Sequence, residues 1–435
     1  MGKNLIYIML GQMCNPIAGL LTLPFILHFY TIAEIGEYFF AVSLCGVMAA
    51  LVVMGLDTAL ALEKNDRTAS HLQALAIFSG AILASLIIPL LYAIQPWGFP
   101  AYFAPHVLFS LIFISISIFA VNAETVVVAM QMRNNSFRQF AFHKLIATLV
   151  TFTAQLLLAD NLLGVNGLII GFAVGHLCGA TAGMLRINFR NGVKTMFSPS
   201  GLEESIHVLN LKRKFIIYTM PSASLARFGN EMPGLLVPLL LGPQYAGLFA
   251  ICSRVLASPT SMIGATMAKF YLSTIARIDR VHKKEFFRKT LAFIITVALC
   301  ITLYVCLLNL SKEILSIWLG DVIHQVLPIV MITFPYVLAQ VCYRTVSPAY
   351  DFLNIQRTRL MCVACACIVP GIAFIIAADM GNSGNSILGV YSLVRSIGCV
   401  LLISIIFAGL IPEKRFSSFR HWLKPSKTKR LDSSV

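Results

Sequence analysis

The chain has 435 residues, 58% of them hydrophobic and 12% charged, and a formal net charge of +15. So little polar surface cannot coat a water-soluble core of this size, which excludes a soluble globular protein and indicates a polytopic membrane protein. The basic excess excludes a nucleic-acid partner as its cause, because its residues are spread over the connections 186–214, 269–289 and 414–430 instead of gathering on one reading element; contact with anionic membrane lipid suits them better.

Runs of about 20 apolar residues suffice to cross a hydrocarbon core of about 30 Å as helices. Twelve are read in chain order: 4–28, 37–62, 72–94, 107–132, 140–159, 166–185, 214–240, 247–270, 289–310, 325–345, 358–378 and 386–410. They are continuously apolar, whereas barrel strands alternate, so the expected fold is all-α with 12 transmembrane helices. The first run follows a single Lys3 and has no small-residue cleavage site, which predicts a retained span and not a signal peptide.

Charge placement predicts the orientation. The alternate connections 29–36, 95–106, 160–165, 241–246, 311–324 and 379–385 carry one basic residue, Lys312. Three arginines at membrane depth apart, all other Lys and Arg fall on the opposite side, which the positive-inside rule makes cytoplasmic. Both termini are therefore expected to be cytoplasmic. The 11 cysteines lie within or beside spans, so no disulfide framework is implied. Cys362, Cys365 and Cys367 sit in an apolar helix without a neighbouring His or carboxylate, which favours helix packing over metal binding; no cofactor is expected.

The long basic connection 186–213 divides the chain into an N-terminal six-helix lobe (1–185) and a C-terminal six-helix lobe (214–410), followed by a basic tail (411–435). The two halves share a plan. Pro24 precedes a short turn and Gly36, as Pro238 precedes a short turn and Gly247. Further on, Asp160, Gly171 and His176 align with Asp379, Gly389 and Arg395. With six spans each, the halves form parallel repeats, and transporters built from such repeats bind substrate near the midplane between them. Pro16 and Pro24 in the first helix, and Pro221, Pro233 and Pro238 in the seventh, predict bends or breaks in both.

Charged residues at depth are the candidate site, since each costs a few kcal/mol in lipid unless it faces protein or water. Arg227, Arg254 and Arg395 are the cations. Arg227 has Glu231 one turn away to neutralise it, Arg254 lies close enough to the outer surface to snorkel, and Arg395 is midplane with no acidic residue nearby in sequence, so it leads the expectation of an anion site. Glu124, Glu231 and His176 are the candidates for coupling to a proton or sodium gradient; the alternative for Glu124 is an ion pair with one of the arginines. Asp57 is read as an interfacial residue at the inner end of the second helix.

The segments IGEYFFAVSLCGVMAALVVMGLDTAL (35–60), RQFAFHKLIATLVTFTAQLLL (138–158) and YAGLFAICSRVLASPTSMIGATMAKFYLSTIAR (245–277) resemble the Wzx-type polysaccharide flippases, within the wider group that includes the MATE exporters. The resemblance covers nearly the whole chain in plan. It implies a MATE-like pair of six-helix bundles around a cavity, in the inner membrane of a bacterium. It further implies translocation of an undecaprenyl-diphosphate-linked oligosaccharide, such as an O-antigen or capsule repeat unit, from the cytoplasmic to the periplasmic leaflet. Arginine suits such a diphosphate because a guanidinium keeps its charge and binds phosphate oxygens in pairs. A MATE-type ion-coupled exporter of small molecules is the competing reading. A major facilitator is disfavoured by ALEKNDRTASH in place of a basic Gly-rich loop, and an enzyme by the absence of a sizeable outer loop or a nucleophile and base pair.

Overall fold

The computed structural model describes residues 2–53, 55–63, 65–94, 107–159, 163–185, 207–208, 220–275, 283–352 and 356–408. Asp160, most of the 186–213 connection and the 411–435 tail lie outside them. Among the described residues every regular element is helical. The first half holds α1 (Gly2–Leu21), α2 (Leu23–Phe29), α3 (Ile32–Val52), α4 (Leu56–Leu62), α5 (Asp66–Ile94), α6 (Val107–Arg133), α7 (Phe137–Leu157) and α8 (Val165–Met184). The second holds α9 (Met220–Leu241), α10 (Pro243–Cys252), α11 (Ser258–Ile275), α12 (Lys283–Leu310), α13 (Lys312–Leu319), α14 (Val322–Val346), α15 (Ala349–Phe352), α16 (Gln356–Asp379) and α17 (Gly384–Ala408).

Among the described residues, nine helices are long and apolar enough to cross a membrane, or eleven if each of two bent pairs counts as one span. The described part of the seventh expected run is α9, which carries Arg227 and Glu231 in its middle. Apolar side chains such as Leu86, Leu299, Leu303, Leu307 and Leu401 stand exposed along the helices, as a lipid-facing surface requires.

Of three expectations about helix continuity, one holds and two need correction. The expected span 37–62 starts earlier, at Ile32, where Thr31 and Glu34 form a reciprocal capping box, and it ends at Val52. Gly55, with φ of 70°, then turns the chain into α4, which places Asp57 in the first turn of a separate short helix. The first helix does break, by 43° between α1 and α2, with Pro24 opening α2 and the Thr22 hydroxyl donating to the Ala18 carbonyl at 2.8 Å. The seventh does not: α9 is one element through Pro233 and Pro238. The second bend, 41°, falls in the eighth span, beside a π-helical turn at Ser253–Ala257.

Pro259 explains that turn. It has no N–H to donate to the Val255 carbonyl, and its ring crowds the preceding turn. The Ser258 N–H reaches back five residues to Ser253, and the Tyr304 hydroxyl of α12 donates to the Val255 carbonyl at 2.7 Å. A carbonyl in a lipid-embedded helix needs such a partner.

Helices α1 to α8 and α9 to α17 pack into two bundles, each with its own apolar core, one including Leu44, Ile114 and Leu168, the other Ile301, Val326 and Leu388. They meet where α3 packs on α9 and α10, and where α1 approaches α11. The tightest point joins the two repeat glycines. A Cβ at Gly36 would lie 1.9 Å from the Pro243 carbonyl oxygen, and one at Gly247 would lie 1.8 Å from the Ile32 carbonyl oxygen. Each glycine thus faces the carbonyl four residues before the other. Gly247→Leu should force α3 and α10 apart, because overpacking a tight contact costs about 1–3 kcal/mol. The expected result is faster thiol labelling of a cysteine placed at Phe39; an unchanged rate would show that the crossing does not seal this end.

Candidate functional site between the bundles

Two cavities open along the seam and share Phe39, Ser253 and Ser258 as a common wall. The larger, about 280 Å³, lies on the C-terminal side and is lined by Arg227, Asn230, Glu231, Tyr336, Gln340 and Arg344 among others. The smaller, about 230 Å³, includes Asn15, Tyr38, Thr151, His176 and Arg254 in its lining, from both bundles.

In the larger cavity Glu231 neutralises one of the two arginines, Arg227, and Arg344 stands as a further cation. Arg227 Nε lies 3.2 Å from Glu231 Oε1 one turn along α9, the pairing expected from their spacing. Gly46 of α3 makes room for it, since a Cβ there would stand 3.1 Å from an Arg227 nitrogen. Beside the pair, Gln340 Nε2 donates to Asn230 Oδ1 at 2.9 Å. Neutral amides and hydroxyls therefore make up much of its polar lining.

The smaller cavity holds an uncommitted cation. Arg254 sits on the π-helical turn, and its buried Nη1 has no hydrogen-bond partner among the described residues. Across from it, Tyr38 is held by Gln155, which is fully buried between α3, α7 and α8. Gln155 Nε2 donates to the Tyr38 hydroxyl at 3.0 Å and to the Leu168 carbonyl at 3.0 Å, while Tyr30 donates to the Gln155 carbonyl at 2.7 Å. The Tyr38 oxygen accepts from Gln155, so its own proton is free to point at a ligand.

Behind this cavity Glu124 of α6 is buried, 3% exposed, in a cluster contributed by three helices. Lys144 Nζ of α7 lies 2.8 Å from Oε1, His143 Nε2 of α7 lies 3.6 Å from the same oxygen, and His176 Nδ1 of α8 bonds Oε2. The expected arginine partner for Glu124 is thus replaced by Lys144 and His176. The lysine lies 20 residues along the chain on another helix, and the arginines belong to the other bundle. Of the three groups expected to couple to an ion gradient, Glu231 and His176 reach a cavity, and Glu124 stands behind His176.

Arg395, the leading candidate by sequence, lines neither cavity. It is 6% exposed and lies behind α9, where its Nη1 donates to the Ala366 carbonyl and approaches Cys367 Sγ at 3.4 Å. The physical reason is Pro370, four residues after Ala366, which cannot supply the N–H that this carbonyl would otherwise accept. Arg395 replaces it. Sequence reading also missed Tyr38, Gln155 and Lys144, although a proline four residues beyond a membrane-depth carbonyl is a readable sign that some polar side chain is committed there.

Residues 29–328 match the family described as polysaccharide biosynthesis protein. The chain belongs to that family. No curated protein matches this family member individually. Among solved structures it is similar to the lipid II flippase MurJ in an inward closed conformation, at 15% identity over 93% of this chain and 89% of that one, with a TM-score of 0.72. It is also similar to the eukaryotic MATE transporter AtDTX14, at 16% identity over 94% and 95% of the two chains and a TM-score of 0.60. An outward-facing MATE family transporter matches at 13% identity over 93% of each chain, with a TM-score of 0.59. At these identities the likeness establishes the two-lobed membrane fold, and the family match connects the chain with polysaccharide biosynthesis.

The Glu124 cluster gives a stability test. Lys144→Met should destabilise the protein by up to about 3–5 kcal/mol, because it leaves the buried carboxylate with only the two histidines beside it. Adding Glu124→Gln should recover part of that loss in thermal unfolding; strictly additive losses would show that the two charges do not interact. Tyr304→Phe should cost about 1–3 kcal/mol by stranding the Val255 carbonyl, read as a lower melting temperature.

Proposed function

We propose that this chain carries an undecaprenyl-diphosphate-linked oligosaccharide from the cytoplasmic to the periplasmic leaflet of a bacterial inner membrane by alternating access. The observation that carries the reading is Arg254, a guanidinium with a buried, unpartnered nitrogen on a cavity walled by both bundles. Burying such a donor without a ligand is costly, and a diphosphate repays it with charge-assisted hydrogen bonds. Because the cavity spans the seam, an anion held there touches both bundles at once, which is what alternating access requires of its site. The tight crossing at Gly36 and Gly247 lies at the end of the seam that this reading assigns to the periplasm, and it would hold that side closed.

The larger cavity suits the sugar. Its Arg227 and Glu231 satisfy each other, and Asn230 and Gln340 offer the neutral donors and acceptors with which hydroxyl groups are read. Arg395 serves this reading indirectly, by keeping α16 and α17 joined behind α9. The lipid tail stays in the bilayer throughout. Both termini are assigned to the cytoplasm on the charge pattern of the connections.

Export of cationic small molecules, as by a MATE-type exporter, would want a carboxylate free in the cavity. The Glu231 carboxylate is paired with Arg227, and the Glu124 carboxylate with Lys144 and His176. The two readings separate in liposomes. Purified protein should transfer undecaprenyl-diphosphate-linked sugar between leaflets, and Arg254→Gln should lower the rate at least tenfold, equivalent to about 1.4 kcal/mol or more. Dye efflux without lipid-linked sugar transfer would overturn the proposal. Arg395→Ala should lower thermal stability and protein abundance along with transport; unchanged stability with lost transport would restore Arg395 to the binding site.

A further inference from the structure

We propose that His176 is a second anion-binding group of the smaller cavity, facing Arg254 across the seam, and that Glu124 with Lys144 positions it. The inference rests on the diphosphate reading and deepens it. His176 lines the same cavity as Arg254 but from the other bundle, on α8. Its Nδ1 is taken by Glu124, which leaves Nε2 as the ring's only other polar atom. Phe172, one turn earlier, packs on the ring with centroids 4.3 Å apart. A hydrogen bond at one nitrogen and an aromatic neighbour leave the imidazole little rotational freedom.

The neighbouring charge is arranged so that an anion is not repelled. Glu124 would by itself make this wall negative, but Lys144 meets its other oxygen at 2.8 Å inside the bundle. Carboxylate and ammonium cancel, and a proton added to His176 then appears as net positive charge at the cavity edge. Ser253 and Tyr38 stand nearby as neutral donors. A diphosphate has two phosphoryl groups to offer, and the cavity presents two cationic donors on walls that separate when the bundles move. Neutralising either donor weakens the contact that couples ligand to both bundles.

The charged and titratable groups around His176 are Glu124 from α6, His143 and Lys144 from α7, Arg254 from the π-helical turn and Tyr38 from α3. The test spans about pH 5 to 8, the working range of histidine as a residue type, and His143 is buried on the far side of Glu124 from the cavity. Anion binding that uses protonated His176 must therefore strengthen as pH falls through that interval and weaken as it rises.

The test is binding to the full-length protein in lipid nanodiscs of undecaprenyl diphosphate carrying one N-acetylglucosamine, a diphosphate diester whose charge is constant over this interval. Wild type should bind about tenfold tighter at the acid end than at the alkaline end. His176→Gln should keep the alkaline affinity and lose the pH dependence, and His176→Lys should bind tightly with a flat profile. Glu124→Gln should flatten the profile by releasing the ring. Arg254→Gln should weaken binding at both ends. A flat wild-type profile, or an unaltered slope in His176→Gln, would overturn the role of His176 while leaving the transport reading intact. Wild-type protein that binds the probe at no pH would overturn the transport reading itself.

Discussion

A proline inside a membrane-spanning helix frees a carbonyl that lipid cannot solvate, and in this chain the answer to that constraint decides what the site contains. Pro370 frees the carbonyl of Ala366, and Arg395 is committed to it. Pro259 frees the carbonyl of Val255, and the neutral hydroxyl of Tyr304 answers it at 2.7 Å. The second solution spares a cation. Arg254, one residue before the freed carbonyl, sits on a widened turn with a nitrogen left over for a ligand. Two arginines that look alike in the sequence thus differ in setting: one is bonded to a backbone carbonyl behind α9, and the other lines a cavity as a candidate binding group.

The same economy of charge runs through the rest of the seam. Arg227 and Glu231 cancel in the larger cavity, and Lys144 cancels Glu124 behind the smaller one. Arg344 adds a further cation to the larger cavity, and the smaller one holds Arg254, with His176 opposite, on walls that belong to different bundles. A site assembled this way exists only while the bundles are in register. The glycine crossing, where each repeat glycine receives the carbonyl of the other helix, fixes that register at one end. In the proposed transport cycle, binding at this site and closure of the seam would be coupled by geometry, with no need for a long relay.

Much of this was legible in the sequence where the signal is local. The run lengths of apolar residues gave the helices, the spacing of Arg227 and Glu231 gave their pairing, and Pro24 gave the break between α1 and α2. The repeat alignment singled out Gly36 and Gly247 without showing that they touch each other. Local reasoning missed the break in the eighth span because proline alone does not break a helix: α9 runs as one element through Pro233 and Pro238, whereas Pro259 widens a turn that Tyr304 can stabilise from α12. The outcome depends on whether a neighbouring helix offers a donor.

The sequence by itself determined the membrane class, the two-part plan and which arginines and glutamates lie at membrane depth, because hydropathy and charge count are properties of composition and near neighbours. Only the tertiary structure decided which of those charges are free. Glu124 meets Lys144 and His176 from two other helices, and Arg395 meets a backbone carbonyl 29 residues away. Hydrogen-bond satisfaction in a dry interior is settled between helices, and chain order does not record which helix faces which. Arg254 stands as the candidate anion group because, among the described residues, it brings a buried nitrogen without a partner to a cavity walled by both bundles.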